Sequence, residues 1–351
     1  MPSQKHVIIL GAGASFDFID EKYVSRAADW SIYRPPLSQD ILDPYRFEKI
    51  IREFPGVADL TSSVQSALRG KKDLEAFILE LKNKGGHRIP QLIGFQFYLN
   101  RLFQNISDIF RGHAGNNYLD LLGRIKDAGG NACIITFNYD SLLESSLPFF
   151  KSDHQRLDDY ISDNIQIVKM HGSCEWSYVF GPLDQWDAKY VDDAGSVYNY
   201  LMSNPQSVFG YGLLNMPEII PKRNFERRSN ERIWYSYPAI AIPMHSKHSH
   251  VCPASHVDQA RIAIREASKI LIIGWKAGDE KLLDLMEEEI KHPVEITIVS
   301  GESKYAEETR KAISQKVKKV RYKITDMGFT SFMSSTECDD FFAPTQNSPT
   351  E

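Results

Sequence analysis

The sequence predicts an α/β protein, a parallel sheet carrying an inserted helical subdomain, and three observations predict it. Short apolar runs that end in glycine, such as 6–10 before Gly11, fit strands buried on both faces. In the second half of the chain such runs alternate with segments of helical periodicity, the pattern of strand–helix–strand units. The first two runs lie about 120 residues apart with helical patterns between them, too far for a simple crossover.

In chain order, the first strand is 6–10 and runs into Gly11-Ala12-Gly13-Ala14-Ser15. The insertion, about 40–128, contains 73–82 with Leu74, Phe77, Ile78 and Leu81 at helical spacing, then 89–110 and 118–128. A second strand at 132–137 precedes a short helix at 141–146, and a third strand follows at 165–170. Residues 175–237 are rich in aromatics, Asn, Asp and Pro with weak periodicity, and read as an irregular lobe or lid. Further strands at 239–242, 269–274 and 294–299 and a β-rich segment at 317–324 are separated by helices at 255–267, 279–291 and 302–315. The expected organisation is one catalytic domain, 1–335, and a compositionally disordered tail, 343–351, with no internal repeat.

Composition narrows the function. A chain of 351 residues buries one large core, or one core with an appended subdomain. The net charge of −5 gives no electrostatic footprint for nucleic acid, so no direct nucleic-acid binding is expected. The basic run Lys316, Lys318, Lys319, Arg321 and Lys323 reads as a solvated edge strand. No stretch approaches the ~20 apolar residues of a membrane span, and the start of the chain lacks the apolar run of a signal peptide; cytoplasmic residence is expected. Cys133, Cys174, Cys252 and Cys338 are far apart with no C-x-x-C pair, so neither a zinc ribbon nor a disulfide framework is expected.

Four motifs follow predicted strands. Gly11-Ala12-Gly13-Ala14-Ser15-Phe16 ends the first; its glycines suit a tight turn approaching a phosphate-containing ligand, although Phe16 stands where a third glycine would complete G-x-G-x-x-G. Neither is there an acidic strand end about 20 residues on, as dehydrogenases require. Thr136-Phe137-Asn138-Tyr139-Asp140 ends the second strand, where ligands of open α/β sheets bind; helix capping by Asp140 accounts for it equally well. Lys169-Met170-His171-Gly172-Ser173 ends the third and puts a histidine able to titrate near neutrality at the same edge. Ile272-Ile273-Gly274-Trp275-Lys276-Ala277-Gly278-Asp279 is another glycine-bearing turn, suited to backbone contact with a phosphate or ribose; a simple βα loop with Asp279 as N-cap accounts for it equally well. His245, His248, His250 and His256 match no common zinc spacing and read as a solvated loop.

Taken in order, these motifs resemble the sirtuin superfamily, specifically its bacterial sirtuin-like branch. GAGAS is similar to the sirtuin first-strand loop, TFNYD to the threonine–glutamine–asparagine–hydrophobic–aspartate motif, and MHGS to the histidine–glycine motif. IIGWKAGDE resembles the strand and loop near the adenosine half of NAD. Pro35-Pro36-Leu37, Asp73-Leu74-Glu75, Ile242-Pro243 and Lys247 extend the resemblance over roughly residues 5–300. It implies a Rossmann-like sheet that takes NAD as substrate, with no metal. Asn138 would order the nicotinamide ribose and a water, His171 would act as general base, and Asp140 would contact the nicotinamide amide or orient Asn138. Gly11, Ala12, Gly13, Ala14, Ser15, Thr136, Phe137, Gly274, Trp275 and Asp279 would surround the rest of the nucleotide.

Departures set the expected reaction. The four-cysteine zinc module of deacylases is absent, Phe137 replaces their glutamine, and Asp17 and Phe18 leave the deacylase pattern after the glycine loop. The resemblance therefore implies hydrolysis of NAD to ADP-ribose and nicotinamide, in the manner of antiphage defence effectors. Control would come from homo-oligomerisation or a separately encoded sensor or ATPase subunit. The alternatives are ADP-ribosyl transfer and a non-catalytic nucleotide-binding subunit.

Overall fold

The computed structural model describes residues 5–19, 33–69, 74–83, 89–113, 115–147, 156–180, 194–203, 219–221, 235–241 and 251–343. Strand β1 (His6–Leu10) leads into the short helix α1 (Ala12–Phe16). The helical insertion follows as α2 (Pro44–Glu53), α3 (Pro55–Arg69), α4 (Leu74–Asn83), α5 (Ile89–Phe110) and α6 (Asn117–Asp127). The chain then returns through β2 (Ala132–Thr136), α7 (Leu142–Ser146), β3 (Ile165–Lys169), β4 (Gly172–Phe180), α8 (Ala194–Ser203), β5 (Ile219–Pro221) and β6 (Tyr235–Ile240). A regular alternation closes it: α9 (Ala254–Glu266), β7 (Lys269–Ile273), α10 (Glu280–Glu289), β8 (Val294–Val299), α11 (Ser303–Lys316) and β9 (Val320–Thr325), then α12 (Phe329–Met333) and α13 (Thr336–Phe342).

The main sheet has six strands in the order β3-β2-β1-β7-β8-β9, all parallel. Its central strands are apolar throughout because both faces are covered. Ile8, Leu10, Ile134 and Leu271 join one core with the inserted helices, α12 and α13. Val7, Ile9, Cys133, Ile135 and Ile272 join another with α9, α10 and α11. This is the Rossmann-like architecture the sequence predicts, with the helical insertion between β1 and β2.

One expectation is corrected, and another falls mostly outside the described residues. The run at 239–242, grouped with the parallel strands, begins with the last two residues of β6, which pairs antiparallel with β4 in a separate sheet of order β5-β4-β6; residue 242 lies outside the described residues. An apolar run specifies burial but not the sheet it joins. Residues 175–237, read as irregular, are regular where described: most of β4 lies there, with α8, β5 and the start of β6. The long helix α5 packs on β4 and β6, and among the described residues there Trp176, Tyr198 and Tyr237 are core. Phe97 meets Tyr237 edge-on at 5.3 Å, and Trp176 is fully buried. The tail beyond 343 lies outside the described residues. Among the described residues no helix is long and apolar enough to cross a membrane.

Candidate active site

The strand order reverses direction between β1 and β7, and crevices at such switch points, outside the carboxyl ends of the strands, are where open α/β sheets take ligands. The four sequence motifs follow β1, β2, β3 and β7, which are adjacent in the sheet. Topology therefore gathers along one edge four segments spread over more than half the chain.

At the switch point two glycine turns interlock. Gly11 N–H donates to Ile273 O at 3.0 Å and Gly13 N–H to Gly274 O at 3.1 Å. A Cβ on Gly11 would lie 2.5 Å from Gly274 O, and one on Gly13 would lie 2.7 Å from Gly274 Cα. Gly274 has φ +62°, and its own Cβ would meet Ala14 N at 2.5 Å. Glycine is thus required at all three positions for the turns to cross in backbone contact. Gly274 N–H is bound to Val299 O at 3.1 Å. Beyond the crossing, Trp275 stacks on Phe137 with centroids 5.2 Å apart and planes 6° from parallel.

Asn138 lies two residues past Thr136, the last β2 residue in register with β3. Its backbone N–H donates to Thr136 Oγ1 at 3.1 Å. Its Nδ2 donates to Gly11 O and Ser15 Oγ, each at 2.9 Å, and reaches the Tyr118 hydroxyl at 3.4 Å. Ser15 Oγ in turn donates to Asp140 Oδ2 at 2.8 Å and lies 2.9 Å from the Tyr118 hydroxyl. Both donor hydrogens of the Asn138 amide are so engaged, while its Oδ1 takes no hydrogen bond from the described residues. Asp140 is buried; its Oδ1 accepts from Leu142 N–H at 3.2 Å at the start of α7. Burial raises its pKa, against the opposing charge of Lys169 and the Ser15 and Leu142 hydrogen bonds. Asp140 therefore fixes Ser15, and through Ser15 the Asn138 amide.

His171 occupies the matching position past β3, two residues beyond Lys169, the partner of Thr136 in the register. There the chain leaves one sheet for the other, and Gly172 with φ +79° makes the turn; a Cβ on it would lie 2.0 Å from Ala239 O. His171 O accepts from Ala241 N–H at 2.9 Å. Its ring meets the Phe137 ring edge-on at 4.9 Å and lies 28° from the plane of Tyr139 at 6.3 Å. Nε2 is 3.0 Å from Asp279 Oδ2. The Asp279 carboxyl is held below its ordinary pKa: burial pushes it up, but the His171 hydrogen bond and charge and the Leu282 N–H outweigh that.

All the sequence-predicted site residues stand along this edge. Asp279, expected beside the nucleotide or as an N-cap, pairs with His171 and caps α10 through Leu282 N–H at 2.7 Å. Three contributors were not singled out. Tyr118 arrives from the insertion, and no motif surrounds it. Lys169 and Glu144 form an ion pair that is buried beneath the edge. Lys169 adjoined a recognised motif, but only the fold brings Glu144 to it. The histidine cluster is corrected in part: His256, read as solvated, is fully buried in the first turn of α9, with Nε2–H donating to Leu157 O at 2.9 Å and its ring edge-on to Trp176 at 5.5 Å. One satisfied N–H and an aromatic cage make a neutral imidazole a good core residue. His245, His248 and His250 lie outside the described residues.

No protein-family model matches the chain, and no curated protein does. Among solved structures, it is similar to a Sir2 homologue in complex with NAD, at 12% identity and TM-score 0.44, covering 97% of this chain and 92% of that one. It is similar also to Sir2 in complex with the inhibitor EX-527, 2′-O-acetyl-ADP-ribose and a deacetylated p53 peptide, at 10% identity and TM-score 0.39 over 97% and 95% of the two chains. A third, Sir2 bound to acetylated peptide, gives 11% identity and TM-score 0.38 over 97% and 95%.

Proposed function

We propose that the chain is an NAD glycohydrolase that cleaves the nicotinamide–ribose bond. The observation that carries this reading is the placement of Asn138, whose Oδ1 takes no hydrogen bond from the described residues, and of the His171 imidazole at register-matched positions on adjacent strand ends. Neighbouring strands lie about 4.8 Å apart, a spacing suited to the hydroxyls of one ribose and a water beside it. An ionised Asp279 only accepts, so His171 Nε2 donates to it, and in the neutral ring Nδ1 is then the acceptor. Hydroxyls and water are the donors that two such acceptors recognise.

In the reaction, the C1′–N bond breaks with its electron pair going to the nicotinamide ring, neutralising its positive charge. Water oxygen bonds to C1′, and its proton passes to His171 Nδ1 and then to solvent. The products are nicotinamide, ADP-ribose and one proton. Asn138, anchored through Nδ2 to Gly11 O and Ser15 Oγ, orders the ribose and the water. The interlocked turns at Gly11–Ser15 and Gly274 bring backbone close to the remaining nucleotide, with the stacked Phe137 and Trp275 beside it.

Hydrolysis is favoured over deacylation by the cysteines. All four are buried, Cys133 in β2 and Cys252 in one core, Cys174 in β4 and Cys338 in α13 in the other, so they build no common zinc site. A role as an NAD-depleting defence effector, gated by self-assembly or by a sensor or ATPase subunit, follows from the same reading. The test is chromatography of NAD incubated with the protein. Asn138→Ala and His171→Ala are each expected to lower nicotinamide release by about 10²–10³ or more while cooperative folding is kept, the usual loss for one preorganised group or base. Labelled NAD leaving its label on a macromolecule would turn the reading to ADP-ribosyl transfer.

A further inference from the structure

We propose that Asp279 is the positioning residue of His171, forming with it a carboxylate–imidazole dyad that sets which ring nitrogen is the base. The proposal rests on the NAD-cleavage reading for its catalytic consequence, but the dyad itself stands on geometry.

The two side chains come from segments 108 residues apart and meet at 3.0 Å. Each is otherwise immobilised. Asp279 uses its second oxygen, Oδ1, to cap α10 through Leu282 N–H at 2.7 Å, so the carboxylate cannot rotate away without uncapping the helix. The loop before it is held in an unusual form: Ala277, a buried non-glycine residue, has φ +53°. Such backbone is strained and persists where the surroundings over-determine it. His171 is fixed by its own carbonyl, bonded to Ala241 N–H, and by Phe137 and Tyr139 on its ring.

A capping role alone would be met by Oδ1. Oδ2 is aimed at His171, and this has two chemical effects. It fixes the tautomer with hydrogen on Nε2, leaving Nδ1 as acceptor, and it places a negative charge against the imidazolium that forms when Nδ1 takes the proton. Removing the charge while keeping a hydrogen-bonding amide reverses the arrangement: an Asn side chain capping Leu282 through oxygen presents an N–H donor to the ring, which draws hydrogen onto Nδ1 and blocks it as a base.

The experiment is Asp279→Asn, a substitution that keeps an N-cap of similar strength. In the active protein kcat is expected to fall by about 10²–10⁴, with KM changed by less than about threefold and melting unchanged. An unchanged kcat overturns the proposal, as does a raised KM at constant kcat, which would assign Asp279 to substrate binding. Nitrogen NMR of the histidine-labelled chain, with the His171 signals assigned by their loss in His171→Ala, reads the tautomer without turnover. The Nε2–H form is expected in the parent and the Nδ1–H form in Asp279→Asn; the same tautomer in both overturns the dyad. Intact NAD with the tautomer switch present would sink the NAD-cleavage reading and leave the dyad standing.

Discussion

Lys169 and Glu144 form an ion pair beneath the candidate site, 2.6 Å between Nζ and Oε1, with side chains only 1% and 3% exposed. Nζ also donates to Asp140 O at 2.6 Å. The pair thus ties the end of β3, which leads to His171, to the turn that carries Asn138 and Asp140. Burial raises the Glu144 pKa against the pull of Lys169, and Glu144 Oε2 is buried with no hydrogen-bond partner among the described residues. Breaking such a pair leaves an uncompensated buried charge, whereas replacing both members with apolar groups is often neutral. Lys169→Met is therefore expected to lower stability by about 3–5 kcal/mol, and adding Glu144→Leu to recover most of it. Urea unfolding of the parent, single and double variants checks this; equal losses in both variants would contradict it.

Ser15 and Tyr118 make a graded test of the Asn138 anchor. Ser15→Ala removes both the acceptor for Asn138 Nδ2 and the donor to buried Asp140. Its expected effect is a loss of about 1–3 kcal/mol together with slower nicotinamide release. Tyr118→Phe removes a hydroxyl 3.4 Å from Nδ2 and is expected to cost less on both counts. Melting curves and initial rates measured together show whether the order holds.

Stability should also depend on pH through His256. Its pKa is lowered by burial, partly offset by the bond to Leu157 O. A folded-state pKa below the unfolded value means that the unfolded chain binds more protons as pH falls. The stabilising contribution is complete above the unfolded pKa of about 6.5 and is lost as pH falls through the folded value. His256→Gln, which retains a donor for Leu157 O, is expected to lose less melting temperature between pH 7 and pH 5 than the parent. Part of the slope will remain, because His6 is also buried with a lowered pKa.

Gly172 has no tolerated substitute. Its φ is +79°, and a methyl group there would lie 2.0 Å from Ala239 O and 2.4 Å from Val251 Cγ1. Gly172→Ala therefore adds a clash to backbone strain of about 1–3 kcal/mol. Loss of cooperative folding, or a melting temperature lowered by many degrees, is the expected result by calorimetry.

The parallel sheet was legible because buried strands leave an unmistakable apolar run bounded by glycine, and the insertion because 89–110 keeps helical spacing over 22 residues. The second sheet was not. β4 and β6 sit in aromatic-rich sequence without clean alternation, and Gly172 gives no hint that the chain changes sheets there. At the site, Asn138, Asp140 and His171 could be picked out because each follows an apolar strand. Their partners could not: Ser15 to Asp140, Lys169 to Glu144 and His171 to Asp279 join residues 125, 25 and 108 positions apart, and only strand order brings them together. The glycines were legible as turns, but the crossing of Gly11 and Gly13 with Gly274 was not.

The central claim is tested most directly by chromatography of NAD incubated with the parent protein and with Asn138→Ala. The incubations run over a range of protein concentrations, with and without the products of neighbouring genes. The account predicts nicotinamide and ADP-ribose in equal amounts from the parent, and release lowered by at least about 10² in Asn138→Ala under conditions where it remains cooperatively folded. NAD that raises the melting temperature yet stays intact under every condition, or equal release by both proteins, would contradict it.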